Sequence, residues 1–170
     1  MTKKGIHRIG EDSVAGYLRS NRFSLSQNHQ PNENGCLEVT CPVSGKGKLI
    51  VTVKAKTKKV WSHNLGIGAD GKDKAIIFVD MSIPNKHAYY ILYDSNWKAA
   101  RDLEIKPHTT NNRLKGYDGN APVWGSYKGY EMHVHVLKAV NATDVIAVVA
   151  TKLGCTGHLH NMAKKFTAIP

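Results

Sequence analysis

The hydrophobic pattern begins with a short stretch of helical period. Between Asp12 and Asn21, Val14, Ala15, Tyr17 and Leu18 recur at near-helical spacing, and Arg19 and Arg22 follow where cations favour a helix C-terminus. A short amphipathic helix is predicted there. Phe23 to Ser26 then reads as a strand, and Gln27 to Gly35, rich in Asn, Gln, Pro and Gly, reads as a loop. Cys36 to Thr40 and Lys48 to Ala55 are β-branched segments separated by the turn-forming Pro42 to Gly47, which predicts two antiparallel strands.

Ala75 to Asp80 is a short, nearly continuous apolar run and predicts a buried strand, with Ala88 to Tyr93 as its neighbour. Ser95 is placed to cap a helix over Asn96 to Leu103, with Trp97 and Ala100 on one face. Lys106 to Gly129 is turn-rich and takes no assignment. Glu131 to Val140 alternates as a strand does, Ala142 to Leu153 predicts a helix ended by Gly154, and the remainder reads as a loose tail.

Composition narrows the partners more than the fold. At 170 residues the length argues for one domain, and 24 Lys and Arg against 13 Asp and Glu give a net charge of +11, a surface that attracts polyanions, nucleic acid first among them. A soluble protein that is merely basic fits the same numbers. Three cysteines without CxxC spacing suggest neither a zinc knuckle nor a disulfide framework, and Cys155 reads as a packing residue. No stretch approaches the roughly 18 apolar residues of a membrane span, and the basic N-terminus has no apolar core behind it. A soluble protein of the reducing cytoplasm, with no membrane partner, is the expectation.

The order of elements carries a resemblance. Gly10-Glu11 at the first helix, Asn34-Gly35 before Leu37-Glu38-Val39, Val51-Thr52-Val53-Lys54 closing the hairpin, then Phe78-Val79-Asp80 and Tyr89-Tyr90-Ile91-Leu92, together resemble the PD-(D/E)xK, or restriction-endonuclease-like, nuclease group. The resemblance implies a three-layer α/β domain with a central mixed β-sheet flanked by helices. It implies a single domain over residues 1–170, with its core at about 10–103 and a C-terminal extension at 104–170.

It also implies a site. Active members bind a divalent metal through an Asp on the second strand and a Glu or Gln two residues before the Lys, with help from a Glu in the first helix. Hard cations take such oxygen ligands and generate hydroxide for phosphodiester hydrolysis, while the lysine adds positive charge beside the phosphate. Here Cys36 stands where the Asp is expected and Thr52 where the Glu or Gln is expected, so two anionic ligands are missing. Lys54 and Glu11 match. Glu38 shares a strand face with Cys36, about 6.7 Å further along, and could supply a displaced carboxylate. An endonuclease reading therefore takes Glu38 and Glu11 as ligands of Mg or Mn, Lys54 as the motif lysine, and Thr52 to orient water or phosphate.

The even-numbered lysines Lys46, Lys48, Lys54, Lys56 and Lys58 would share one strand face, a stripe suited either to tracking phosphates or to protecting a solvated sheet edge. Lys59 and Trp61 extend it, with Trp61 read as either a core residue or a base-stacking platform. The literal GxGxxG of Gly66 to Gly71 lacks the strand and helix that a dinucleotide loop needs. His133-Val134-His135 and His158-Leu159-His160 lack a third ligand at a telling spacing.

Three functions stay in view. The leading expectation is a DNA- or RNA-binding protein on a nuclease-like scaffold, impaired in cleavage and needing no cofactor to bind. The alternatives are a metal-dependent endonuclease and a protein-interaction or inhibitor component of a mobile-element or defence system, to which a homodimer would point.

Overall fold

The computed structural model describes residues 3–26, 36–41, 47–57, 60–63, 72–94, 96–100, 102–103 and 130–155. Helix α1 (Lys3–Ser20) leads into β1 (Ser24–Ser26), β2 (Cys36–Thr40), β3 (Lys48–Lys56), β4 (Val60–His63), β5 (Lys74–Asp80) and β6 (Ala88–Leu92). Helical positions at 94, 96–100 and 102–103 form α2, and β7 (Tyr130–His133), α3 (Val134–Ala139) and α4 (Val145–Lys152) follow. The strand order β1-β2-β3-β5-β6 makes a mixed five-stranded sheet, antiparallel except where β5 lies parallel to β3. A general α/β architecture is therefore present, and β4 pairs separately with β7.

Registers put even-numbered residues opposite even-numbered ones in every ladder of the main sheet, so side-chain parity sorts the two faces. The odd face of β2, β3 and β5, Leu37, Val39, Val51, Val53 and Ile77 among them, packs with Val14 and Leu18 of α1 and Val145 and Val149 of α4. The even face of β5 and β6, with Ile76, Phe78, Tyr90 and Leu92, packs with Trp97, Ala100, Met132, Val136 and Leu137. Strand β5, at the join of the two layers, is buried from Ala75 to Val79 on both sides, as its uninterrupted apolar run predicted.

Two close approaches fix the helices. Gly10 sits against Ala55, and a Cβ there would run into the Ala55 side chain, so only glycine lets α1 lie this near β3. On the far side of α4, Cys155 is joined by a disulfide to Cys41 at the end of β2, across a sequence separation of 114. This corrects the expectation that the cysteines do not pair. Odd count and spacing hid it, because the third cysteine, Cys36, stays outside the disulfide and the two partners meet only when α4 docks.

Boundaries moved where tertiary packing outweighed local pattern. Helix α1 begins nine residues before the predicted Asp12, carried through two glycines by its contact with the sheet. Glu131 to Val140 was expected as a strand but changes to helix after His133, so that Val136 and Leu137 both reach the core, which an alternating strand could not do. The turn that follows lets Ala142 accept a hydrogen bond from the Ile91 N–H at 2.7 Å, covering the open edge of β6. Asp144, whose carboxylate accepts from the Ala147 N–H at 3.1 Å, starts α4 later than Ala142. Helical positions at 96–100 and 102–103 fall within the helix expected over Asn96 to Leu103, and its start is held by Asn96, which accepts from the Tyr93 N–H at 2.7 Å and donates to the Ile91 carbonyl at 3.1 Å. The expected cap, Ser95, lies outside the described residues.

Two measurements follow from this packing. Gly10→Ala should lose about 1–2 kcal/mol in denaturant unfolding, since overpacking outweighs the propensity gain of alanine. Replacing Cys41 by Ser should cost about 3–5 kcal/mol in the same assay, because a closed loop of more than a hundred residues is released in the unfolded chain. Unchanged stability under reductant would contradict the second.

Candidate anion-binding site

On the even face of β2 and β3 the sheet carries polar side chains in place of the apolar layer found over β5 and β6. Cys36 and Thr52 are cross-strand partners, their Sγ and Oγ1 3.6 Å apart. Lys54 follows Thr52 on the same face, opposite Phe78 of β5. Its ammonium is half-buried, and that burial pushes its pKa down, against the opposing influence of the nearby Cys36 sulfur. Among the described residues no carboxylate pairs with Lys54. Lys54 thus shares the face with the Thr52 hydroxyl and the Cys36 thiol, while the carboxylate of that face, Glu38, is engaged by Lys48.

The neighbouring lysines differ. Lys56, 5% exposed, lies beside Asp80 in the parallel register and pairs with it at 3.2 Å. Burial pushes the Asp80 carboxyl up, but the Ser82 hydroxyl and N–H and the Lys56 ammonium together hold it below the ordinary carboxylate range. Lys56 is thus an internal ion-pair partner instead of a solvated member of a basic stripe. Lys48 is exposed and pairs with Glu38, so the carboxylate expected to reach a metal is already engaged.

Glu11 rises from α1, on the layer that covers the odd face, so the sheet separates it from the face bearing Lys54 and Glu38. Of the residues expected to act together, the structure brings Lys54, Thr52 and Glu38 to one face and leaves Glu11 on the other layer. Among the described residues no group of three or more His, Cys, Asp or Glu converges to hold a metal. Lys46, Lys58 and Lys59 lie outside the described residues, as do Gly66 to Gly71 and His158 to His160. Trp61 pairs with Met132 in the β4–β7 ladder. The His133 and His135 rings, 5.4 Å apart, stand at the junction of β7 and α3 instead of along one strand.

Two features escaped sequence reading. Asp80 is the anion that neutralises Lys56, legible only once the β3–β5 register is known. Ser13 joins α1 to β6, its Oγ 2.6 Å from His87 Nδ1 and 2.8 Å from the Tyr89 hydroxyl, while Tyr89 stacks on Tyr17 at 4.2 Å. Nothing in the spacing of these residues announces the cluster.

No family model, curated protein or solved structure matches the chain in comparisons with known proteins. No helix of the described residues is long and apolar enough to cross a membrane.

The electrostatics give two expected outcomes. Lys54→Met should raise the melting temperature slightly, because it removes a half-buried cation that has no described carboxylate; a marked fall would contradict the unpaired reading. Asp80 has a depressed folded pKa, so its contribution is present above the unfolded value and lost as pH falls through the lower folded one. Unfolding titrations should show stability draining away below about pH 4, and Asp80→Asn should flatten that acid limb.

Proposed function

We propose that this chain binds nucleic acid through the β2–β3 face and the adjoining end of the sheet, on a restriction-endonuclease-like scaffold that has lost cleavage. The observation that carries the reading is Lys54, a half-buried cation with Thr52 and Cys36 beside it and no described carboxylate against it. In a chain of net charge +11, such a cation is balanced most simply by a phosphate. The mixed sheet with its parallel β3–β5 pair and flanking helices is compatible with that scaffold. The metal-dependent alternative would need Glu38 to leave Lys48 and Glu11 to reach around the sheet, whereas binding needs neither.

A reducing cytoplasm, the setting the sequence suggested, would favour Cys41 and Cys155 as buried thiols; the disulfide favours an oxidising one.

The test is anisotropy titration of duplex and single-stranded oligonucleotides at rising salt, beside plasmid incubation with Mg or Mn. Affinity should fall steeply with salt, and Lys54→Met should weaken binding several-fold at low salt while reducing the salt slope by about one. Absent or salt-insensitive binding overturns the proposal, and Lys54-dependent plasmid cleavage replaces it with the nuclease reading.

A further inference from the structure

The β5–β6 connection presents an apolar side chain where none is needed for the core. Ile83 is 56% exposed, the most exposed large hydrophobic residue among those described, and Pro84 beside it is also exposed. The turn that carries it is braced by hydrogen bonds. The Ser82 N–H donates to Asp80 Oδ1 at 3.0 Å, the Lys86 N–H donates to the Ile83 carbonyl at 3.2 Å, and the Met81 N–H donates to the Lys56 carbonyl at 2.9 Å. Asp80 is itself held by Lys56, and Asn85 takes the left-handed conformation, φ 59°, that closes the turn.

The position of the turn is equally defined. Ile83 stands three residues past the last β3–β5 pair, within about 10 Å of it along the chain. Because Gly10 packs on Ala55, one residue from the end of β3, the preceding turns of α1 lie at that same end, and Arg8 there is exposed. Lys86, from the turn itself, is exposed as well. An apolar point on a braced turn thus has Lys86 three residues along the chain and Arg8 at the same end of the sheet.

We propose that this turn is a wedge that inserts Ile83 into a base step of duplex nucleic acid lying across the Lys56 end of the sheet. The inference rests on the nucleic-acid-binding reading. A wedge needs an apolar side chain that cannot retreat and flanking positive charge to hold the phosphates on either side of the opened step, and the turn supplies both.

The test uses the full chain with short DNA duplexes carrying 2-aminopurine at successive positions, whose fluorescence rises when the base is unstacked. Wild type should raise the signal at least two-fold at saturation. Ile83→Ala should abolish most of that rise and weaken binding about three- to ten-fold, while Ile83→Leu restores both; the exposure of Ile83 makes an unchanged melting curve the expected control. Salt-dependent binding without any rise, or an equal rise with Ile83→Ala, overturns the wedge and leaves the binding reading standing. No binding to any duplex overturns both. Ile83-dependent binding to phosphatidylserine vesicles, with no duplex response, assigns the turn to a membrane surface and overturns the wedge.

Discussion

Two parallel strands cannot be joined by a tight turn, and the pairing of β3 with β5 governs what surrounds it. The chain must leave the end of β3 and return to the start of β5, and it places β4 on the way. The pairing also puts β5 in the interior of the sheet, where both its faces must be covered, and this is the role of the layers led by α1 and α4 on one side and by α2, β7 and α3 on the other. The same register sets Lys56 beside Asp80 and Lys54 beside Phe78.

Three lysines on one strand face consequently meet three different environments. Lys48, exposed, finds Glu38 across the β2–β3 ladder, where screening by water leaves the pair worth little. Lys56 is enclosed, and its charge is tolerable because the parallel neighbour supplies a carboxylate. Lys54, between them, has Thr52 on its own strand, Cys36 across and an aromatic residue beside it. Parity along a strand predicts that side chains share a face, but what each one meets there is decided by strands far away in sequence.

That distinction separates what could be read from the chain from what could not. Strands β2, β3, β5 and β6 and the β2–β3 hairpin were legible because apolar and β-branched residues repeat at the strand period over enough positions. The first half of α1 was not, since Gly5 and Gly10 argue locally against a helix and only the approach to Ala55 explains Gly10. The strand-to-helix change at His133 was hidden because Met132, Val134 and Val136 alternate, and the deciding residue is Leu137, adjacent to one of them. At the candidate site, the shared face of Cys36 and Glu38, and that of the even-numbered lysines, followed from parity alone, whereas the β2–β3 register was needed to put the two sets on one face. The pairing of Glu38 with Lys48, and the separation of Glu11 by the sheet, needed the layers to be assembled.

The Cys41–Cys155 link has a bearing on how the molecule is made. A ribosome adding about 5–20 residues per second delivers the second cysteine on the order of ten seconds after the first, and the exit tunnel delays it further. Throughout that interval the odd face of β2 and β3 can be covered by α1 but has no α4 to complete it, and Cys41 waits as a thiol close to Cys36 in the chain. Oxidation during synthesis would offer Cys41 only Cys36, so the native link forms directly only once α4 has docked, and otherwise by attack of the Cys155 thiolate on a Cys36–Cys41 disulfide.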